Sequence, residues 1–306
     1  MTTSANPCVL VYDVGGSHVS AAVCQAGSYQ LRSVARALHP AQQTSEAFLD
    51  VLSGLAAQVT ADASNVLGAS VAMPGPFDYA TGVSWMKHKL PYLYGIDLRQ
   101  ALADRLGWQP GQVRFLNDAA AYLLGEVGAG AARGVARAVG ITLGTGIGSA
   151  FAVGGRIVTE GQGVPPGGEI WNVPYESGIV EDLFSSKAIR NSYEQLTGQQ
   201  EEVAAIARYA AAADPAAAEV FAEFGRRLGR AMKSLFTTFA PDVVVLGGGI
   251  SRSAALFLPF AQEQLEGHKM QLRVSALGDS APLVGAGVAW LSDPMVSTEA
   301  RAADAR

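Results

Sequence analysis

The sequence predicts an α/β protein built from two similar halves, and three observations support this. Segments with the pattern of strands alternate along the chain with segments that have the pattern of helices, which is the order typical of α/β proteins. The 306 residues are 49% hydrophobic and 16% charged, so the chain can bury the cores of two packed lobes. The third observation is an internal repeat, because VGGSHVSA at residues 14–21 matches LGTGIGSA at residues 143–150 in character.

The first elements alternate as this fold class requires. Residues 8–14 have the composition of a buried strand, and the alternation over residues 19–24 predicts an antiparallel partner. A helix with a polar cap is expected from about residue 44 to residue 60. The next strand, over residues 67–73, must end at Pro74-Gly75-Pro76, which is a loop sequence.

The later elements continue the alternation. A strand ends at Asn117-Asp118, and an alanine-rich helix follows it. Beyond the second strand–turn–strand unit lies a long loop over residues 160–178, and the chain is expected to be helical from about Glu181 to Phe239. The remaining elements are a buried strand at residues 243–247, a helix after Ser251 and a last helix that begins near Pro282.

Both glycine hairpins have the composition of a phosphate-binding loop. Glycine lets the backbone turn tightly and brings its N–H groups close to phosphate oxygens, and Ser17 and Thr145 add hydroxyl donors. Asp13 ends the first strand, where a carboxylate can hold Mg²⁺ through water. Either hairpin taken alone also fits a simple tight turn, and the second lacks the following helix of a dinucleotide-binding fingerprint.

A third glycine cluster, Gly247-Gly248-Gly249, ends a buried strand before a helix. A flat ligand can lie against bare backbone at such a place, although a close contact between helix and sheet would need the same residues. All three glycine clusters in this order are less expected by chance than any single cluster. Together they favour a nucleotide-binding protein.

Asn117-Asp118 is the candidate for acid–base chemistry. On local grounds the pair is an N-cap for the helix that follows. The positive end of a helix also stabilises a charged carboxylate, which can then accept a proton from a hydroxyl nucleophile. The two interpretations are compatible, because one side chain can cap a helix and face a substrate.

These motifs, in this order, resemble those of the ROK family of sugar kinases, within the actin-like ATPase superfamily. The matching motifs are Asp13-Val-Gly-Gly-Ser, Asn117-Asp118-Ala, Leu143-Gly-Thr-Gly-Ile-Gly, Gly168-Glu169 and Leu246-Gly-Gly-Gly-Ile. The resemblance covers the chain roughly from Val9 to Trp290. It implies a two-lobed actin-like ATPase (ribonuclease H-like) fold with the active site in the cleft between the domains.

The resemblance also implies a role for each motif, with Asp118 as the catalytic base. The implied cofactor-binding residues are Asp13, Gly15, Gly16, Ser17, Gly144, Thr145 and Gly146 for the phosphates and Gly247, Gly248 and Gly249 for the adenosine. The implied sugar-binding residues are Gly75, Asn117, Asp118, Glu169, Asn172 and Glu181. The implied cofactors are ATP and Mg²⁺, with Asp13 as the metal-binding residue.

The chain departs from the family pattern in two places. Glu169 is followed by Ile170-Trp171-Asn172, where the family has a glycine and then a histidine that contacts sugar and zinc. No cysteine lies in the following loop, so no zinc site is expected. In the second place, Lys87-His88-Lys89 precedes Leu-Pro, where the family often has an asparagine. These basic residues suit an anionic or differently substituted ligand, or they form a solvated surface.

We therefore expect a small N-terminal lobe over residues 1–117, with a C-terminal helix of about residues 282–306 packed back on it, and a large lobe over residues 118–281. The expected reaction is ATP-dependent phosphorylation of a hexose hydroxyl, with glucose to glucose 6-phosphate as the first candidate. A kinase for N-acetylhexosamine, mannose or fructose is the alternative. A non-catalytic sugar sensor is the third possibility.

Composition limits the partners of this protein. The formal net charge is -5, with acids and bases interspersed, so the sequence lacks the basic field that nucleic acids require. The repressors of the family carry a helix-turn-helix before the first phosphate loop, whereas about a dozen residues precede Asp13 here. The sequence shows neither a leader peptide nor a run of about 18 apolar residues. We therefore expect a cytoplasmic protein that does not associate with a membrane. The resemblance implies a homodimer.

Overall fold

A computed structural model of the protein describes residues 6–292, which pack as two units. Of the described residues, 6–129 and 280–292 form the first unit, and Gly130–Asp279 forms the second. Each unit is built on a five-stranded mixed sheet covered by helices, so the predicted α/β class is confirmed. Within residues 6–292, none of the helices is both long enough and apolar enough to cross a bilayer.

The sheet of the first unit has the strand order β3-β2-β1-β4-β7. Strands β1, β2 and β3 are antiparallel neighbours, whereas β4 and β7 run parallel to β1. A separate short hairpin is formed by β5 and β6. The strands of this unit are β1 (Cys8–Val14), β2 (His18–Gln25), β3 (Leu31–Leu38), β4 (Val66–Met73), β5 (Phe77–Asp78), β6 (Val83–Ser84) and β7 (Val113–Asn117).

Three helices of the first unit follow in the chain: α1 (Ser45–Thr60), α2 (Leu98–Leu106) and α3 (Asp118–Ala129). Strand β1 is buried on both faces, because successive side chains point to opposite sides of a sheet. Leu10 and Tyr12 belong to the core formed with α1 and α2, while Val9 and Val11 face the opposite side. The Tyr12 hydroxyl donates to the Leu52 carbonyl at 2.9 Å and ties the strand to α1.

The sheet of the second unit repeats this arrangement, with the order β10-β9-β8-β13-β14. Strands β8, β9 and β10 are again antiparallel neighbours, and β13 and β14 run parallel to β8. The internal repeat in the sequence therefore corresponds to a repeat of topology. The strands are β8 (Arg137–Leu143), β9 (Ile147–Val153), β10 (Arg156–Val158), β11 (Pro174–Tyr175), β12 (Gly178–Ile179), β13 (Val243–Gly247) and β14 (Gln271–Val274).

The predicted helical region from Glu181 to Phe239 is divided into four helices. These are α4 (Val180–Leu183), α5 (Ser186–Thr197), α6 (Val203–Ala211) and α7 (Pro215–Leu235), and α8 (Ala254–Glu263) follows β13. The apolar stripe of α7 is core, with Phe221, Leu228 and Met232 fully buried. Its basic residues lie on the other face, where Glu223 pairs with Arg226.

The last helix, α9 (Ala281–Leu291), packs on α3 and on β1 within the first unit. A Cβ at Gly285 would overlap the Ala121 carbonyl oxygen, so the two helices lie in backbone contact. This contact groups α3 with the first unit, which extends through Ala129, whereas the sequence placed the boundary at residue 117. The helix expected at about residues 282–306 is described as far as Leu291, and residues 293–306 lie outside the described part of the chain.

Candidate active site

The first glycine hairpin joins β1 to β2 and is held by hydrogen bonds from both sides. The Gly15 N–H donates to the His18 carbonyl at 2.9 Å, which closes the turn. His39 supports it from the end of β3, because its Nε2 donates to the Gly15 carbonyl at 2.8 Å and its backbone N–H to the Ser17 carbonyl at 3.2 Å. Within residues 6–292, the N–H groups of Gly16 and Ser17 have no backbone acceptor, so they are the donors available to a phosphate.

Asp13 is the penultimate residue of β1 and is partly exposed beside this hairpin. In register it lies opposite Ser20 on β2 and Ala72 on β4, at the carboxyl end of the parallel pair β1 and β4. Mg²⁺ prefers oxygen ligands and is often held by one or two carboxylates together with substrate phosphates and waters. A single carboxylate beside the first glycine hairpin fits that chemistry.

Asn117 and Asp118 lie where β7 ends and α3 begins. The Asn117 Oδ1 accepts from the Ala120 N–H at 3.0 Å, and the Asp118 Oδ1 accepts from the Ala119 N–H at 2.9 Å. The predicted N-cap is therefore confirmed, and both side chains lie at the positive end of the helix. The N-terminal end of a helix favours negative charge, so this position suits a carboxylate.

Tyr79 connects this pair to the Gly75 loop. The Asn117 Nδ2 donates to the Tyr79 Oη at 3.2 Å, and that hydroxyl donates to the Met73 carbonyl at 3.1 Å. A Cβ at Gly75 would lie 3.5 Å from the same Oη. Met73 and Asn117 are paired at the carboxyl ends of the parallel strands β4 and β7, so the structure brings Gly75, Asn117 and Asp118 together at one sheet edge. Sequence reasoning missed Tyr79.

The second hairpin joins β8 to β9 and is held by one residue of α4 and the first residue of α5. The Gly144 N–H donates to the Gly146 carbonyl at 3.0 Å within the turn. The Ser186 N–H and Oγ both donate to the Gly144 carbonyl, at 2.7 and 2.8 Å. Glu181 holds the other side, because its Oε2 accepts from the Ile147 N–H at 3.0 Å. Glu181 therefore contacts the second glycine hairpin directly.

The third glycine cluster lies beside this second hairpin. Gly247 is paired with Thr142 in the sheet, and Gly248 has a φ of +81°. A Cβ at Gly248 would overlap the Leu143 carbonyl oxygen, so both the conformation and the space require glycine. The predicted order of strand, glycines and helix is confirmed, and the structure places Gly247–Gly249 against the residue before Gly144.

Glu169, Trp171 and Glu181 form a connected group in the second unit. The Trp171 Nε1 donates to the Glu169 Oε2 at 2.8 Å, and the Glu181 N–H donates to the Trp171 carbonyl at 3.0 Å. Trp171, with 40% of its surface exposed, thus links the Glu169 carboxylate to the backbone of Glu181. Asn172 is also exposed beside them.

Replacing His39 tests whether it positions the first hairpin. His39→Ala removes the hydrogen bond to the Gly15 carbonyl and the stacking on Phe48, whose ring centroid is 6.0 Å away. A lost hydrogen bond of this kind costs about 1 kcal/mol, so we expect about a fivefold rise in the KM for ATP with little change in the KM for sugar. Steady-state kinetics with each substrate varied in turn measures this. An unchanged KM for ATP would show that the hairpin keeps its geometry without His39.

Two substitutions at Glu181 separate hairpin support from sugar binding. Glu181→Ala removes the acceptor of the Ile147 N–H, a bond to a charged group worth about 1.5–3 kcal/mol, so ATP affinity should fall at least about tenfold. Glu181→Gln keeps an acceptor oxygen and should retain most of that affinity. Calorimetric titration with a nonhydrolysable ATP analogue measures both variants. Equal ATP affinity of the Glu181→Ala and Glu181→Gln variants would show that Glu181 does not support the second hairpin.

Comparison with known families gives one match over most of the chain. The model of the ROK family matches residues 9–293. Among the relatives of this chain, a glucokinase of Thermotoga maritima is 28% identical over 247 residues, which cover 71% of this chain and 76% of that enzyme. An N-acetyl-D-glucosamine kinase of Pectobacterium carotovorum is 28% identical over 182 residues, or 53% of this chain and 58% of that kinase.

Solved structures show the same fold. The crystal structure of a ROK hexokinase from Thermus thermophilus superposes with a TM-score of 0.76 at 27% sequence identity. The match covers 92% of this chain and 97% of that protein. This likeness confirms the actin-like ATPase fold that the motifs predicted.

Proposed function

Because this chain belongs to the ROK family, we propose that it is an ATP-dependent sugar kinase that phosphorylates a hexose hydroxyl, with glucose as the first candidate substrate. The observation that carries this proposal is the position of Asp118. Its carboxylate lies at the N-terminal end of α3, next to Asn117 and at the same sheet edge as the Gly75 loop. Two glycine hairpins with N–H groups for phosphate complete the set of parts that phosphoryl transfer needs.

In the proposed reaction, the terminal hydroxyl oxygen of the sugar attacks the γ-phosphorus of ATP. The new O–P bond forms as the bond between the γ-phosphorus and the bridging oxygen breaks, and ADP leaves with that electron pair. Asp118 accepts the hydroxyl proton. Gly16 and Ser17 donate backbone N–H groups to phosphate oxygens and stabilise the charge that develops there. Asp13 would hold Mg²⁺, which neutralises phosphate charge when it is bound.

The second candidate substrate class is N-acetylhexosamine. The relatives include both a glucokinase and an N-acetyl-D-glucosamine kinase, at the same level of identity. The pair Trp171-Asn172 replaces the glycine and histidine of the family pattern, so it alters the surface beside Glu169. A bulky exposed indole at this position can reshape the contact with the substituent on a sugar ring.

A coupled assay of ADP release tests the proposal. Glucose, mannose, fructose, N-acetylglucosamine and N-acetylmannosamine are each offered with ATP and Mg²⁺, and a reaction without sugar serves as the control. We expect sugar-dependent ADP release with at least one of them, and the largest kcat/KM names the substrate. Sugar binding without ADP release would instead favour a non-catalytic sensor. The homodimer and the cytoplasmic location stay predictions from the sequence.

A further inference from the structure

The first unit contains an open cavity of about 530 Å³ beside the loop Gly75-Pro76. Its volume is within the range of about 300–1,000 Å³ that is usual for small-molecule sites. The cavity is lined on the other sides by Trp85, Met86, Lys87, His88, Lys89 and Tyr94. This segment follows β6 and includes Lys87-His88-Lys89, the second place where the sequence departs from the family pattern.

Two exposed aromatic rings form one wall of this cavity. Trp85 and Tyr94 pack edge to face, with ring centroids 5.6 Å apart, and they are 47% and 46% exposed. Backbone hydrogen bonds fix their positions, from the Trp85 N–H to the Pro76 carbonyl at 3.1 Å and from the Gly95 N–H to the Ser84 carbonyl at 2.7 Å. Large exposed rings on a fixed backbone offer a stacking surface at low entropic cost.

The charge of the lining is opposite in sign to that of the chain. The whole chain has a formal net charge of -5, yet this cavity is lined by two lysines, a histidine and no carboxylate. Lys87 Nζ lies 5.3 Å from the Tyr94 ring centroid, which holds this cation at the aromatic wall. Within residues 6–292, neither Lys87 nor Lys89 has a carboxylate within ion-pair distance. The cavity therefore presents a local positive potential to a ligand.

The cavity and the proposed site of phosphoryl transfer share the Gly75 loop. Gly75 lines it, and a Cβ at Gly75 would lie 3.5 Å from the Tyr79 hydroxyl. That hydroxyl accepts from Asn117, the neighbour of Asp118. We infer that a sugar whose terminal hydroxyl faces Asp118 extends past the Gly75 loop into this cavity, where Lys87 and Lys89 line the wall.

We propose that this cavity binds an anionic group of the substrate, so that the kinase acts on a hexose derivative with a carboxylate or a phosphate at the end remote from its terminal hydroxyl. This inference rests on the proposed sugar kinase function and specifies its substrate class. The aromatic wall stacks on the carbon skeleton, and the two lysines pair with the anion. A neutral hexose can occupy the same cavity but leaves both ammonium groups without a counter-charge.

The test compares D-gluconate and α-D-glucose 1-phosphate with D-glucose in the ADP-release assay. Both anionic compounds keep the terminal hydroxyl, and the pair distinguishes a carboxylate from a phosphate. We expect a higher kcat/KM for at least one of them than for glucose.

The double variant Lys87→Gln/Lys89→Gln should lower the kcat/KM for that anionic sugar about tenfold, since each exposed ion pair contributes about two- to fivefold. It should change the value for glucose less than twofold. Lys269→Gln, an exposed lysine of the second unit, is the matched control and should change neither value.

Two further readouts separate the alternatives. Raising the ionic strength should increase the KM for the anionic sugar and leave the KM for glucose unchanged, because salt screens exposed charges. Anionic ligands should also quench the fluorescence of Trp85, an effect that Trp85→Phe removes and the double lysine variant weakens.

Three results would overturn the inference. The first is equal loss of activity on glucose and on the anionic sugars in the double variant. The second is a change in the KM for ATP alone, which would assign the lysines to the nucleotide. The third is fluorescence quenching by glucose but by neither anion. No ADP release with any sugar refutes the proposed kinase, whereas turnover of glucose without preference for charge refutes only the anionic substrate.

Discussion

Asp118→Asn is expected to lower kcat by about 10²–10⁴-fold while the Kd for sugar changes little, because a general base contributes rate enhancement of that order. The amide of asparagine cannot accept the hydroxyl proton at neutral pH. In the parent protein the Ala119 N–H donates a hydrogen bond to the Asp118 Oδ1 at 2.9 Å. The side-chain oxygen of asparagine can accept the same bond, so the start of α3 should be preserved. Single-turnover measurement of product formation, together with titration of sugar binding, separates the two effects.

Asp214→Asn is the matched control for this substitution. Asp214 is also an aspartate at a helix start, where its Oδ1 accepts from the Ala217 N–H at 2.8 Å at the beginning of α7. Its replacement should leave kcat within about twofold, since asparagine caps helices as well as aspartate does. Full activity in Asp118→Asn would remove Asp118 from the role of base.

Gly285→Ala is expected to destabilise the first unit by more than about 3 kcal/mol, because overpacking between two fixed backbones is among the most costly of single substitutions. The added Cβ would overlap the Ala121 carbonyl oxygen, and neither backbone can yield without separating α9 from α3. Since α3 begins at Asp118, activity should fall together with stability.

Gly54→Ala makes the same chemical change with the opposite expected sign. Gly54 is exposed within α1, and a Cβ there would meet no atom within 4 Å, so alanine should stabilise the helix by about 0.5–1 kcal/mol. Urea denaturation of the two variants and the parent protein measures the difference. Similar unfolding midpoints for both variants would contradict the described contact between α3 and α9.

Elements with a strong local pattern were predictable from the sequence. Strand β1 and its return as β2 followed from alternation and from the glycines between them, and the start of α3 followed from Asn117-Asp118. The edge strands β3 (Leu31–Leu38) and β14 (Gln271–Val274) were missed, because each is largely exposed and lacks a clear apolar pattern. Helix α2 was missed for a similar reason, since few of its residues are buried. The break before α7 coincides with Ala213, which has a φ of +63°.

The candidate site divides in the same way between local and long-range features. Asp118 and the glycine hairpins are short motifs, so the sequence indicated them. His39 and Tyr79 contact their partners across 24 and 38 residues of chain, and the hydrogen bond from Ile147 to Glu181 spans 34. Such pairings depend on how strands and loops meet in the folded sheet, so a local sequence pattern does not predict them.

The central claim is that this protein transfers the γ-phosphoryl group of ATP to a sugar hydroxyl. Phosphorus NMR of a reaction with ATP, Mg²⁺ and the best substrate of the sugar panel tests it most directly. The account predicts equal amounts of ADP and of a new phosphomonoester on the terminal carbon of the sugar, both strongly reduced in Asp118→Asn. ADP and free inorganic phosphate without a sugar phosphate, or no change in the ATP signals with any sugar, would contradict it.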